Sequence, residues 1–140
     1  MENSRSEIIR KIAEEIDCGY NCHYNPKNDE IITIPNFEQD FIENEFKDNF
    51  SEKLKKVKQN KAQFIKIEVL ESYESFKIME QFADQVDDEQ LSTELKKVLE
   101  RKKPFQNFKF IVDNSDYRQN WFDFKQAQLE EIVKAKIKFR

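Results

Sequence analysis

Cys18-Gly19-Tyr20-Asn21-Cys22-His23-Tyr24 and Glu30-Ile31-Ile32-Thr33-Ile34, joined by Asn25-Pro26-Lys27-Asn28-Asp29, decide the fold. In the first run Cys18, Tyr20, Cys22 and Tyr24 alternate with Gly19, Asn21 and His23. That is the period of a strand with one face on a core. The second run is rich in β-branched residues, and the five residues between are dense in turn formers. Residues 18–24 and 30–34 therefore read as a β-hairpin, which Pro35 ends. A hairpin is marginal by itself, so other elements must bury its apolar side.

Upstream the period is 3.6. Ile8, Ile9, Ile12, Ala13 and Ile16 predict an amphipathic helix over residues 5–16, with Ser4 and Glu7 as a capping box. Gly19, the only glycine, falls just past its end, where a left-handed exit is expected. Downstream, Asn36 can cap a helix carrying Phe37, Phe41, Ile42 and Phe46. Phe50, Leu54 and Val57 continue the spacing to about residue 59, with a basic strand as the alternative. Residues 62–70 alternate and predict a third strand.

The remainder reads as helices. Ser72 caps one bearing Phe76, Met79, Phe82, Ala83 and Val86. Asp87 or Asp88 opens one with Leu91, Leu95, Val98 and Leu99. Pro104 begins a short one through Phe105, Phe108, Ile111 and Val112, as a first-turn proline can. Ser115 or Asp116 opens the longest, with Tyr117, Trp121, Phe124, Leu129, Ile132, Val133 and Ile137. The expected fold class is α+β: a small antiparallel sheet (hairpin plus third strand), one face covered by helices, with a mostly helical C-terminal half. With 140 residues, one domain is expected over 1–140, sheet-containing to about 71 and helical from about 72.

Four segments carry a resemblance. Ser72-Tyr73-Glu74-Ser75-Phe76, Met79-Glu80-Gln81-Phe82, Lys103-Pro104-Phe105-Gln106-Asn107-Phe108-Lys109 and Trp121-Phe122-Asp123-Phe124 occur in that order. Over residues 18–137, and most strongly over 72–125, the chain resembles Uncharacterised Protein Family 0158. The resemblance implies a hairpin before a strand, a Met-Glu-x-Phe helix, a Phe-x-x-Phe-Lys segment and a final aromatic helix. It also implies a bacterial cytoplasmic setting, but no activity, substrate or catalytic residue.

Composition bounds the chemistry. Charged residues are 37% of the chain, but thirteen Phe, four Tyr and one Trp carry more apolar area than a disordered chain leaves in water. One Gly and three Pro exclude Gly-rich phosphate loops and collagen-like repeats. Two cysteines without a disulfide framework point to a reducing compartment. Neither a signal-peptide run nor a bilayer-spanning stretch is visible, so a cytoplasmic protein with no membrane partner is expected. Residues 1–100 hold 14 Lys/Arg against 23 Asp/Glu, a balance of -9, and residues 101–140 hold 10 against 5, a balance of +5. The charge is polarised along the chain.

Catalytic chemistry has little to work with. Cys18, Cys22 and His23 invite a zinc site, but residues four apart on a strand lie about 13 Å from each other. The expectation is two half-buried thiols, one surface imidazole, and neither metal nor cofactor. His23 is the only imidazole, so a Ser/His/Asp or Cys/His system lacks a second candidate base. Glu38, Asp40, Glu43, Glu45 and Asp48 read as a solvated acidic face, and catalysis by carboxylates alone is the least favoured reading. Two surfaces remain. Arg101, Lys102, Lys103 and Lys109 interleave with Phe105, Phe108 and Phe110, a pattern suited to a nucleic acid or other polyanion. A second basic run covers Lys53, Lys55, Lys56, Lys58 and Lys61. Phe105 and Phe108 are also expected in the core by their spacing. Trp121 and Phe122 project differently from one helix. Either one anchors an interface if exposed, or the long helix packs on both sides, against the sheet and against neighbouring helices, which is the favoured reading. The expected function is a non-enzymatic protein-interaction module, with homodimerisation as one form and polyanion binding through 101–110 as the alternative.

Overall fold

The computed structural model describes residues 2–35 and 51–138, with side chains of residues 5–35 and 51–137. The expected Asn36 cap, the stripe Phe37–Phe46 and the acidic face Glu38–Asp48 lie outside the described residues. Those residues form an α+β protein with six α-helices and one three-stranded antiparallel sheet. They fall into two compact units, residues 1–69 with 129–140, and residues 70–128.

The first unit opens with α1 (Glu2–Asp17). It begins ahead of Ser4, so Ser4 and Glu7 lie inside the helix and do not cap it. Gly19 exits with φ +96, in the left-handed region where a side chain is strained. β1 (Tyr20–Asn25) and β2 (Glu30–Pro35) pair antiparallel, with His23 opposite Ile32 and Tyr24 opposite Ile31. The turn is held by side chains. The Lys27 and Glu30 amides donate to the Asn25 and Asn28 side-chain oxygens, each at 3.0 Å, and the Tyr24 hydroxyl donates to Asp29 at 2.7 Å. Asp29 takes φ +61, a conformation that aspartate tolerates better than most residues.

α2 (Ser51–Gln59) settles the helix-or-strand alternative for that segment. A 3-10 turn (Lys61–Gln63) leads into β3 (Ile65–Ile67), shorter than the nine residues expected. β1 is central in the order β2-β1-β3. Both faces of the sheet are covered, where one was expected. Opposed residues share a face, so His23 lies with Ile32, and Asn21 with Ile34. Leu54 and Val57 of α2 pack against Ile32, Ile34 and Phe64 on that side. Cys22 and Tyr24 face the other way, with Ile65 and Ile67, and the Cys22 thiol points at the α1 carbonyl of Ile12. The uninterrupted Ile31-Ile32 pair already departs from strict alternation, as strands buried on both faces do.

The second unit is helical. α3 (Ser72–Gln85) is capped from Glu71 rather than Ser72, with the Glu71 amide donating to the Glu74 carboxylate at 3.0 Å. The Asp88 carboxylate caps α4 (Glu89–Leu99), accepting from the Leu91 amide at 3.0 Å. Pro104 is the first-turn residue of α5 (Pro104–Asp113). α6 (Arg118–Lys138) starts two residues after Asp116 and contributes its residues 118–128 here and 129–138 to the first unit. The core of this second unit is an aromatic cluster. Phe82 lies 6.3 Å from Phe108, 5.3 Å from Trp121 and 5.5 Å from Phe124, and Phe108 lies 4.9 Å from Trp121, centroid to centroid. Edge-on and tilted rings at these separations set the positive edge of one against the negative face of another.

Candidate functional site

The burial of the hairpin's thiols and imidazole differs from expectation. Cys18 is not on the strand but in the turn before it, and is exposed, whereas Cys22 is fully buried, so neither thiol is half-buried. Burial, reinforced by Glu15 and opposed by Lys11, pushes the Cys22 thiol up to about 12. A thiol held protonated is a poor nucleophile and a poor ligand. His23 is only 8% exposed and not a surface imidazole; it shares a sheet face with Ile32, against which Leu54 and Val57 of α2 pack. Burial, then Lys66, lowers its pKa from 6.5 against the pull of Glu68. Among the described residues, no group of three or more His, Cys, Asp and Glu side chains is placed to hold a metal ion.

Trp121 is 4% exposed and sits inside the aromatic cluster, so its ring offers solvent almost nothing. Phe122 is half-buried, with the Arg118 guanidinium 4.9 Å from its ring centre and the Lys125 ammonium 5.7 Å away. The large apolar side chains that do face water in the second unit are others: Tyr73 at 73%, Phe110 at 69% and Phe105 at 37% exposed. Phe108 is fully buried as expected for core, whereas Phe105 is not. Phe105 packs only its flank, against Phe76, with ring centres 6.4 Å apart.

Around that ring pair lies an open groove of about 480 Å³. Ser72, Tyr73, Phe76, Lys77 and Glu80 line it from α3, at the i, i+4, i+8 spacing that makes one helix face, and Phe105 lines it from the first turn of α5. The basic residues gather at the same helix. Arg101, Lys102 and Lys103 are consecutive and exposed in the bend before α5, and Lys109 is exposed one turn beyond Phe105. Lys103 takes φ +53, which turns the chain sharply into Pro104. None of these four cations is in an ion pair among the described residues. The ion pairs elsewhere include Lys56 with Glu30, Lys66 with Glu68, Lys96 with Asp84 and Arg118 with Asp113.

Tyr73 was missed because the apolar spacing of α3 selects Phe82 and Val86 as core. The signal was there: nine residues at 100° each put Tyr73 opposite Phe82. A second, polar recess of about 280 Å³ includes Asp88, Glu94 and Asp116, but the Asp88 carboxylate is occupied in capping α4.

The class these observations define is an α+β protein whose helical unit carries an aromatic groove beside unpaired cations. The model of an uncharacterised protein family (UPF0158) matches residues 35–137. The chain belongs to that family. The match includes the segment 72–125 and begins at Pro35, so β1 and nearly all of β2 precede it. No curated protein and no solved structure matches the chain.

Proposed function

We propose that this chain is a non-enzymatic, cytoplasmic protein-interaction module that binds another protein or a second copy of itself. The observation that carries the reading is the exposure of Tyr73 and Phe105 on either side of one groove. Large apolar side chains gathered at a shallow, open surface favour a partner that removes them from water. Two free cysteines favour a reducing compartment, and among the described residues no helix is long and apolar enough to cross a membrane.

Polyanion binding is the second reading. It is favoured by four exposed, unpaired cations next to Phe110, whose ring is free to stack. The experiment is capture from native lysate on the immobilised chain and on Tyr73→Ala, with eluates assayed for protein and for nucleic acid. Light scattering across ionic strength accompanies it. A retained protein, or self-association, that Tyr73→Ala loses supports the module. A monomer at every ionic strength, with no protein whose retention depends on Tyr73, refutes it. Nucleic acid retained through Arg101, Lys102, Lys103 and Lys109 establishes the second reading instead.

A further inference from the structure

We infer that the groove takes an acidic amphipathic segment of a partner protein, an inference that rests on the interaction-module reading. One apolar side chain of that segment seats among Tyr73, Phe76 and Phe105, and its carboxylates meet the cations beside Phe105. The apolar half of the argument is the lining. Three aromatic side chains bound the groove, and two of them already hold each other at 6.4 Å, so the surface is formed before a partner arrives.

The charge half is the rim. Lys77 lines the groove itself, and Glu80 is the single acid in the lining. Lys109 follows Phe105 by four residues, which places their Cβ atoms about 5–6 Å apart on the helix surface. Lys103 precedes Phe105 by two residues, with Arg101 and Lys102 next to it. Arg101, Lys102, Lys103 and Lys109 are exposed and make no ion pair among the described residues. Exposed apolar side chains with exposed cations on one side, around Phe105, are complementary to a segment with apolar residues one turn apart and acids between them.

A nucleic acid fits the same surface less well. Phe110, the ring most available for stacking on α5, is five residues from Phe105 and so about 140° around the helix. A stacked strand would use Phe110, whereas a peptide in the groove would not touch it.

The probe is a fluorescent synthetic peptide of about 15 residues, net charge about -4, with leucines at i and i+4. Controls are the same peptide with Lys for Glu, the same peptide with Ser for Leu, and a mixed-sequence single-stranded oligonucleotide. Titrated against the full chain, the acidic peptide should bind saturably and both altered peptides should not. Tyr73→Ala and Phe105→Ala should each weaken it about tenfold, as loss of an interface anchor does. Tyr73 is mostly in solvent, so its variant keeps the test sound if Phe105→Ala disturbs folding. Lys103→Glu with Lys109→Glu should weaken binding about tenfold near 50 mM salt and much less near 500 mM. Phe110→Ala should leave it unchanged. Absence of saturable binding, indifference to Tyr73→Ala, or displacement by the oligonucleotide together with sensitivity to Phe110→Ala would each overturn the inference. Should lysate capture depend on Tyr73 while this peptide fails, the partner chemistry is wrong and the interaction module stands.

Discussion

Replacing Phe108 by alanine tests whether aromatic burial is what holds residues 70–128 together. Phe108 is fully buried, 6.3 Å from Phe82 and 4.9 Å from Trp121. Removing a buried phenylalanine costs the transfer energy of its atoms plus the cavity left behind, about 3–5 kcal/mol. The two lost ring contacts, each ~0.5–1.5 kcal/mol beyond area, favour the upper part of that range. Domains are stable by only ~5–15 kcal/mol, so the variant should unfold at a much lower urea midpoint, with a melting temperature lower by ~10–20 °C. The chain supplies its own reporter. Trp121 is its only tryptophan and stands against Phe108, so fluorescence reads this core directly. Phe110→Ala, two residues away and 69% exposed, is the matched control and should stay within about 0.5 kcal/mol of the parent. A Phe108→Ala midpoint indistinguishable from that of Phe110→Ala would show that the cluster does not carry the stability ascribed to it.

Other consequences are quickly checked. A thiol reagent added to the native protein should modify exposed Cys18 promptly and reach buried Cys22 only on unfolding, so mass spectrometry should find one adduct first; two at equal rates would contradict the packing. Asp88→Ala should cost about 1 kcal/mol by freeing the Leu91 amide, read as a shift in urea midpoint, with Asp88→Asn recovering most of it. His23 has a lowered folded pKa, so the unfolded chain takes its proton more readily. Its contribution to stability is therefore complete above about pH 6.5 and lost as pH falls toward the lowered folded value. His23→Gln should flatten the loss of stability between about pH 7 and pH 5, and equal slopes for both proteins would refute the assignment.

Much of the architecture is legible in the sequence because local rules and tertiary packing agree. The hairpin, the Gly19 exit, the Asp88 cap and the Pro104 start each follow from backbone chemistry of one or two residues. Failures came where a distant element decided the outcome. His23 looks like a surface residue on an alternating strand until α2 packs on that face of the sheet. Ser72 is the better intrinsic cap, yet Glu71 takes the position because Glu74 can reach back to its amide. Of the interaction surface, the cations at 101–103 and 109 were legible from composition. The groove was not, since it needs Phe105 to lean on Phe76 across a separation of 29 residues. Trp121 falls in the periodic apolar stripe of its helix, and that spacing, rather than ring content, marks it as interior.

The sheet-bearing unit is discontinuous in sequence, and this has a bearing on synthesis. Residues 1–69 belong with residues 129–140, and Leu129 and Val133 are among its buried side chains. At ~5–20 residues per second, a ribosome takes roughly 3–12 s to make the intervening 59 residues. For that interval the strands exist without the side chains that complete their interior, while the helical unit emerges whole. The unit translated second is then the first able to finish folding.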